Sequence, residues 1–385
     1  MILSGILGGL AALSLTLLLW QWFLGARFPL HVRTACPPAP AISILKPLKG
    51  RDDTTAASLE SWMTQHYAGP LQILFGIADG QDPVRPVVEE WLRRHPNCDA
   101  QLIVCPERPG INGKMATAAQ LEKSARHDLL LVSDADTRVP ADFLANMAAP
   151  LRDANVALVN CFYRLANPAT AAMQWEALAV NADFWSQVLQ ANSIKPQDFA
   201  LGAVMLARRK ALDEIGGFGA LVHCVADDYE LGHRIHAAGH SIALCPVVAE
   251  CWEAPAGWRA VWRHQLRWAR TIRSREPLPY FFSILSNATV WGLAAGIAGF
   301  AFGPGHPAIG IFGLAVVAVR MAVARRLERR MAGGEGRLSP FWMAPVKDLL
   351  QVGVWAAAFM GNTVEWRGQR MRLHRGTEHT EGNAQ

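Results

Sequence analysis

The sequence predicts an α/β domain held between membrane-embedded helices at its two ends. Three observations carry that expectation: an uncharged apolar run over 2–24, short strands alternating with amphipathic helices between residues 37 and 279, and renewed apolar runs after residue 284. Composition agrees. Of 385 residues, 51% are hydrophobic and 18% charged, and mean hydropathy is +0.13. That balance excludes disordered and collagen-like classes and points to membrane contact. The length suggests one or two domains. A net charge of +5 is too mild to indicate nucleic acid. The seven cysteines make no CxxC pair and read as buried thiols in a reducing compartment.

Ile2 to Leu24 is long enough to span, since a spanning helix needs about 20 apolar residues. A cleaved signal peptide fits less well, because no basic segment precedes it and Ala35-Cys36 is a poor cleavage site. Trp20 and Trp22 suit an interfacial belt. Ile284–Phe302 and Ile309–Ala324 read as a hairpin of two spans across the turn Gly303-Pro304-Gly305-His306-Pro307. Ala344–Met360 carries Lys347 and Asp348 and either spans or lies in the interface. Arg27, Arg33, Lys46, Lys49 and Arg51 follow the first span, and five arginines from 263 to 275 precede the second. Arg320, Arg325, Arg326, Arg329 and Arg330 close the third. The positive-inside rule then makes the middle of the chain cytoplasmic in a multi-pass protein. The tail is also basic (Arg367, Arg370, Arg372, Arg375), which favours an interfacial or re-entrant fourth segment. The expected organisation is an anchor over 1–26, an α/β domain over 37–255 and a basic interfacial helix over 256–280. Membrane helices over 281–366 and a tail over 367–385 complete it.

Within the middle, 41–45, 71–78, 100–104, 129–133 and 156–161 read as strands, being short, apolar and bounded by turn residues. Residues 54–67, 83–95, 114–125 and 141–152 read as the helices between them. Such alternation implies parallel βαβ units, whose ligands sit beyond the carboxyl ends of the strands. Polar groups fall at four of those ends: Lys46 to Gly50, Asp79-Gly80, Asn112-Gly113-Lys114 and Asp134-Ala135-Asp136. Each alone is ordinary turn chemistry. Their convergence on one edge of one sheet is not.

Asp134 and Asp136, at i and i+2 on a chain leaving a buried strand, can approach one divalent cation. Magnesium takes one or two carboxylates and completes its shell with water and substrate phosphates. Asp227-Asp228 opens a helix; carboxylates favour helix N-termini, but two exceed what one cap needs. Residues 256–275 form a basic amphipathic helix with an arginine stripe at 259, 263, 267 and 270, suited to a membrane surface and to phosphate. Histidines 223, 233, 236 and 240 read as surface or cleft-rim residues, because no Cys or Glu completes a tetrahedral zinc set.

Taken in order, Lys46-Pro47-Leu48-Lys49-Gly50, Asp79, Gly110 to Lys114, Asp134-Ala135-Asp136, Ala226 to Tyr229 and Arg267-Trp268 resemble the ceramide glucosyltransferase family. The resemblance runs from about Ala41 to Trp268 and includes the flanking helices. It implies a GT-A (Rossmann-like) fold, a UDP-sugar donor carrying a hexose or N-acetylhexosamine, a membrane lipid acceptor, a divalent cation (Mg2+ or Mn2+) and inversion at the anomeric carbon. Carried over, it makes Asp228 the catalytic base and places Lys46, Asp79, Lys114, Asp134, Arg267 and Trp268 on the donor. Asp134 and Asp136 hold the metal, with Asp227 and His264 as further candidates. His264 stands where the family's (Q/R)xxRW motif has Gln or Arg, a departure from processive polysaccharide synthases. Asp227 is left as the cap. Residues 181–187 and 262–271 look more like a bacterial hopanoid-associated branch than a sphingolipid one, implying a bacterial inner-membrane protein. Two readings of other classes compete. A HAD-like phosphatase also places DxD after a strand, but after the first strand of its domain. A non-catalytic membrane binding module would be expected to have lost one of the four aspartates.

Overall fold

The computed structural model describes residues 2–35, 38–301, 307–334, 336, 338–366 and 369–373. Cys36, the turn at 303–306 and the arginines at 367 and 375 lie outside the described residues. The chain forms two compact units: Met1–Phe28, Pro168–Lys195 and Pro255–Gln385 in one, Pro29–Asn167 and Pro196–Ala254 in the other.

After α1 (Ile2–Arg27), the sheet unit begins with β1 (Ile42–Leu48), α2 (Thr55–Met63), β2 (Leu71–Ile77) and α3 (Arg85–Arg94). It continues through β3 (Ala100–Val104), α4 (Gly113–Glu122), β4 (Leu129–Ser133), β5 (Thr137–Arg138), α5 (Phe143–Ala148) and β6 (Val156–Leu165). Helices α6 (Ala171–Leu178) and α7 (Trp185–Asn192) interrupt it. It resumes with β7 (Val204–Arg208), α8 (Arg209–Glu214), α9 (Asp227–Ala237) and β8 (Ser241–Cys251). The strand order is β3-β2-β1-β4-β7-β6-β8-β5. The first four strands in sequence are parallel, as the alternation predicts. The pairs Leu48↔Ile77 and Ile77↔Val104 bring their carboxyl ends to one edge.

Beyond β4 the sheet is mixed, with β6 and β8 parallel to each other. β7 runs antiparallel to both β4 and β6, and Ser133↔Val204 brings its start to the edge where β4 ends. Both faces are covered, which explains why the strands read as continuous apolar runs. Ile42, Ile44 and Phe75 pack with Trp62 and Phe143 on one side, while Leu45, Leu74 and Leu130 pack with Met115 and Phe218 on the other.

The membrane unit takes α1, the segment 168–195, and α10 (Trp258–Arg275), α11 (Pro277–Phe282), α12 (Ala288–Ala301), α13 (Pro307–Met331) and α14 (Met343–Phe359). A short hairpin of β9 (Thr363–Trp366) and β10 (Gln369–Arg372) follows. Helices α1 and α13 are each long and apolar enough to cross a membrane. The span expected over 284–302 is not one straight helix: α11 with its following turn meets α12 at a 48° bend. α12 and α13 approach backbone to backbone. A Cβ on Gly299 would stand 2.3 Å from the Gly310 nitrogen, the close approach that small residues permit between membrane helices. α14 runs beside α10, with Gly353 against the Trp262 ring and Arg273 donating to the Gly361 carbonyl at 3.1 Å.

Two charge assignments change with the fold. Arg320, expected in a headgroup flank, is 4% exposed inside this unit. It donates to both oxygens of Asp183 at 2.9 and 2.8 Å and to both of Asp348 at 2.8 Å. Lys347 completes the group, 2.5 Å from Asp183 and 3.1 Å from Asp348. Two cations and two anions cancel, so the charges that seemed to weaken α14 as an apolar segment are neutralised internally. Asp183 reaches the cluster from a π-helical turn, Ala179–Phe184, between α6 and α7. The domain boundary expected at 37–255 thus encloses one segment, 168–195, that folds with the other unit.

Candidate active site

The chain leaving β4 is pinned twice. Asp134 donates its backbone N–H to the Ala203 carbonyl at 3.1 Å, and the Asp136 carbonyl accepts from Trp252 N at 3.0 Å. Both carboxylates are therefore held at the sheet edge. Burial, and then the Asp134 and Glu253 carboxylates, push Asp136 up to about 7.

Lys46 lies beneath this turn, 0% exposed, where its Nζ donates to Ser133 Oγ at 2.9 Å and to the Asp134 carbonyl at 2.5 Å. Burial lowers its ammonium to about 7 against the pull of Asp134 and Asp136. Lys46 is thus enclosed, and it supports the motif from below.

Lys114 sits in the first turn of α4, fixed because the Asn112 side chain accepts from Met115 N at 3.0 Å and donates to the Cys224 carbonyl at 2.9 Å. Its Nζ lies 2.7 Å from Asp134 and 3.6 Å from Asp227, and donates to the Gly202 carbonyl at 3.2 Å. Burial alone would lower this ammonium, but Asp134 and Asp227 carry it above its ordinary value. Asp227 is accordingly not the cap. Ala226 holds that position, no side chain caps α9, and the buried Asp227 faces Lys114 with its Oδ2 lacking a hydrogen bond.

Asp228 Oδ1 accepts from Tyr229 N at 2.8 Å. Burial and the adjacent Asp227 raise its carboxyl to about 6. Gly202 makes the room: a Cβ there would meet Asp228 Oδ2 at 2.8 Å. Sequence reasoning missed it, since a glycine shortly before a strand carries no distinct signal. Asp79 is exposed beyond β2, accepting from Gln81 N at 2.9 Å. Asp82, also missed, ties the two neighbouring loops by accepting from Gly50 N at 3.0 Å and Val84 N at 2.9 Å.

The remaining candidates stand on α10 in the membrane unit. His264, Arg267 and Trp268 are spaced i, i+3 and i+4, so they share a helix face. The His264 ring lies 4.3 Å from that of Trp268. Its Nδ1 is 2.8 Å from Glu176, a carboxylate on α6 that the sequence reading passed over as one acid in an apolar run. Of the other histidines, His240 contacts Glu214 at 2.7 Å and His233 stacks on Tyr229. Among the described residues no three His, Cys, Asp or Glu are grouped to hold a metal.

Residues 6–379 match glycosyl transferase family 21. The chain belongs to that family. Among curated relatives, ceramide glucosyltransferase 1 of Caenorhabditis elegans is 22% identical over 341 residues, covering 88% of this chain and 72% of that protein. Ceramide glucosyltransferase 3 of the same organism is 26% identical over 208 residues, covering 53% of this chain but only 44% of the relative. Among solved structures, mannosyltransferase PcManGT from Pyrobaculum calidifontis, in complex with GDP-Man and Mn2+, superposes with a TM-score of 0.52 at 18% identity, over 93% of this chain and 98% of that one. The family 21 match bears out the resemblance to ceramide glucosyltransferases and the hexosyltransferase class, and the likeness to PcManGT bears out the GT-A-type fold.

Proposed function

We propose that this family 21 enzyme moves a hexose or N-acetylhexosamine from a UDP-sugar to a hydroxyl of a membrane lipid. The acceptor we favour is a bacteriohopanepolyol, with ceramide as the alternative. The observation that carries the reading is the group Asp134, Asp136, Lys114, Asp227 and Asp228 at the carboxyl edge of the parallel strands. Asp134 and Asp136 fit a divalent cation, Mg2+ or Mn2+, because two crowded carboxylates are what such an ion takes when substrate phosphates complete its shell. The ion would neutralise charge developing on the departing diphosphate. Asp79, exposed at the same edge, suits contact with the nucleoside. Lys114 keeps Asp134 and Asp227 in place and leaves Asp228 for the acceptor hydroxyl.

Asp228 is the base of this reading. As the acceptor oxygen bonds to the anomeric carbon, its proton passes to the Asp228 carboxylate. A carboxyl raised to about 6 is still ionised at neutral pH yet more basic than an ordinary aspartate. By resemblance, Arg267 and Trp268 belong to the leaving diphosphate, for which the planar guanidinium fork is suited. The positive-inside pattern supports a multi-pass protein with a cytoplasmic sheet unit, and the resemblance to the hopanoid branch favours a bacterial inner membrane. Purified protein incubated with a panel of UDP-sugars and membrane lipid extracts tests donor and acceptor together. A lipid gaining one hexose or N-acetylhexosamine mass with release of UDP is the expected result. Transfer from GDP-sugars alone, or to water-soluble acceptors alone, would refute it.

A further inference from the structure

Two guanidinium groups of α10 are balanced by no acid. Arg263 on the same helix is paired with Glu365 of β9 at 3.6 Å. Arg270 and Arg273, one turn further on, donate only to neutral acceptors in the stretch that follows α14. Arg270 gives one Nη to the Thr363 carbonyl, and Arg273 gives one to the Gly361 carbonyl at 3.1 Å and to the Asn362 side chain. The Nε of each has no hydrogen-bond partner, and neither residue pairs with a carboxylate among the described residues. Burial, and then the charge of Arg273, hold Arg270 below its ordinary value. The carboxyl end of α14 favours a cation, but one guanidinium meets that need, and two at i and i+3 repel each other. Both side chains are partly exposed, so an anion from outside can reach them.

The apolar neighbours of this pair point to what carries the missing anion. The Arg273 guanidinium lies 5.6 Å from the centre of the Phe359 ring. Phe359 meets Phe281 at 6.2 Å, and Phe281 meets Phe282 at 5.2 Å. These three rings and Met360 are exposed, and apolar side chains clustered in this way mark a contact surface. α11, which bears two of the rings, leads into α12 as one bent candidate span, so the cations stand beside chain that enters a membrane. Aromatic rings next to arginines are suited to the boundary between headgroups and acyl chains.

We propose that this surface binds an anionic phospholipid, with its phosphate held by Arg270 and Arg273 and its acyl chains against Phe281, Phe282 and Phe359. The planar guanidinium fork matches the paired oxygens of a phosphate. A zwitterionic headgroup is disfavoured, because its own ammonium would meet two guanidiniums. The site draws on no residue assigned to sugar transfer.

The test uses full-length protein in a neutral detergent. Phosphatidylglycerol and phosphatidylcholine are titrated separately, with bound lipid read by native mass spectrometry and inorganic phosphate added as competitor. Wild type should bind phosphatidylglycerol about tenfold more tightly than phosphatidylcholine. Arg270→Gln combined with Arg273→Gln keeps an N–H donor at each position but no charge. It should weaken phosphatidylglycerol binding by about thirtyfold, the effect of two arginines at an anionic headgroup. Arg259→Gln combined with Arg263→Gln removes the same charge from the same helix and should cost less than about threefold, because neither residue belongs to the site. Equal wild-type affinity for the two lipids overturns the proposal. Equal losses in the two paired variants also overturn it, reducing α10 to a diffusely basic surface. Displacement of the lipid by millimolar inorganic phosphate would make this a site for free phosphate and overturn the lipid assignment. Should the Arg270 and Arg273 variant fail to fold, the wild-type preference and its survival in the Arg259 and Arg263 variant decide without it.

Discussion

Replacing Arg320 by methionine removes the centre of the buried charge cluster while keeping an unbranched apolar side chain of similar reach. Arg320 makes four hydrogen bonds, two to Asp183 and two to Asp348. Without it, two buried carboxylates face one ammonium, that of Lys347. Were only hydrogen bonds lost, four interhelical bonds at about 0.6 kcal/mol each would cost roughly 2 kcal/mol. An uncompensated buried charge raises that to about 3–5 kcal/mol. Thermal unfolding of the detergent-solubilised protein should then fall by roughly 6–20 °C, at about 2–4 °C per kcal/mol. Arg320→Met combined with Asp183→Asn leaves Lys347 and Asp348 as a neutral pair, and should recover a substantial part of the loss. The charge argument is refuted if Arg320→Met unfolds within a degree of wild type. It is also refuted if the two substitutions simply add, since coupled groups in one network should not.

Asp228→Asn keeps shape and polarity but not basicity, so transfer should drop by about 10²–10⁴-fold with donor KM unchanged; loss in Asp227→Asn instead would reverse their roles. Because burial and Asp227 raise the Asp228 carboxyl to about 6 and the base must be ionised, the wild-type rate should fall as pH drops through about 6 and reach a plateau above it. Residual Asp228→Asn activity should show no such limb. Chelation should abolish turnover and added Mg2+ or Mn2+ should restore it, whereas full activity in excess EDTA would contradict metal binding at Asp134 and Asp136. Arg267→Lys keeps charge but loses the planar fork, and an unchanged kcat would make Arg267 a surface residue.

Local pattern carried much of the fold. β3 and β4 fall where alternation and turn residues put them, at 100–104 and 129–133, because the bounds of a short buried strand are written in its own few residues. Pairing is not local. Nothing in Val204–Arg208 says that it runs against β4, so the mixed half of the sheet was illegible. The same limit governs charges. Arg320 looked like a headgroup cation because its partners lie far away in sequence, at Asp183 and Asp348. Asp134, Asp136 and Asp228 could be found because chemistry and resemblance coincide there. Lys46 could be found but not placed: its identity is in the sequence, but its burial under Ser133 is not. Glu176 could not be found at all, since one carboxylate in Met-Gln-Trp-Glu-Ala-Leu acquires meaning only when α10 packs on it.

The segment between β6 and β7 also sets a schedule for synthesis. Asp183 is 137 residues ahead of Arg320, so at about 5–20 residues per second the ribosome delivers the cation roughly 7–27 s after the acid. For the first part of that interval Trp175, fully buried in the finished protein against Trp258 and Trp262, has no α10 to cover it. The nascent chain therefore carries a sticky, charged loop in the middle of a sheet whose last strand is also unmade. Holding that loop, by a chaperone or at the membrane surface, is a requirement of its own. Cutting the gene after residue 254 would make the wait permanent, and the excised sheet unit is expected to aggregate.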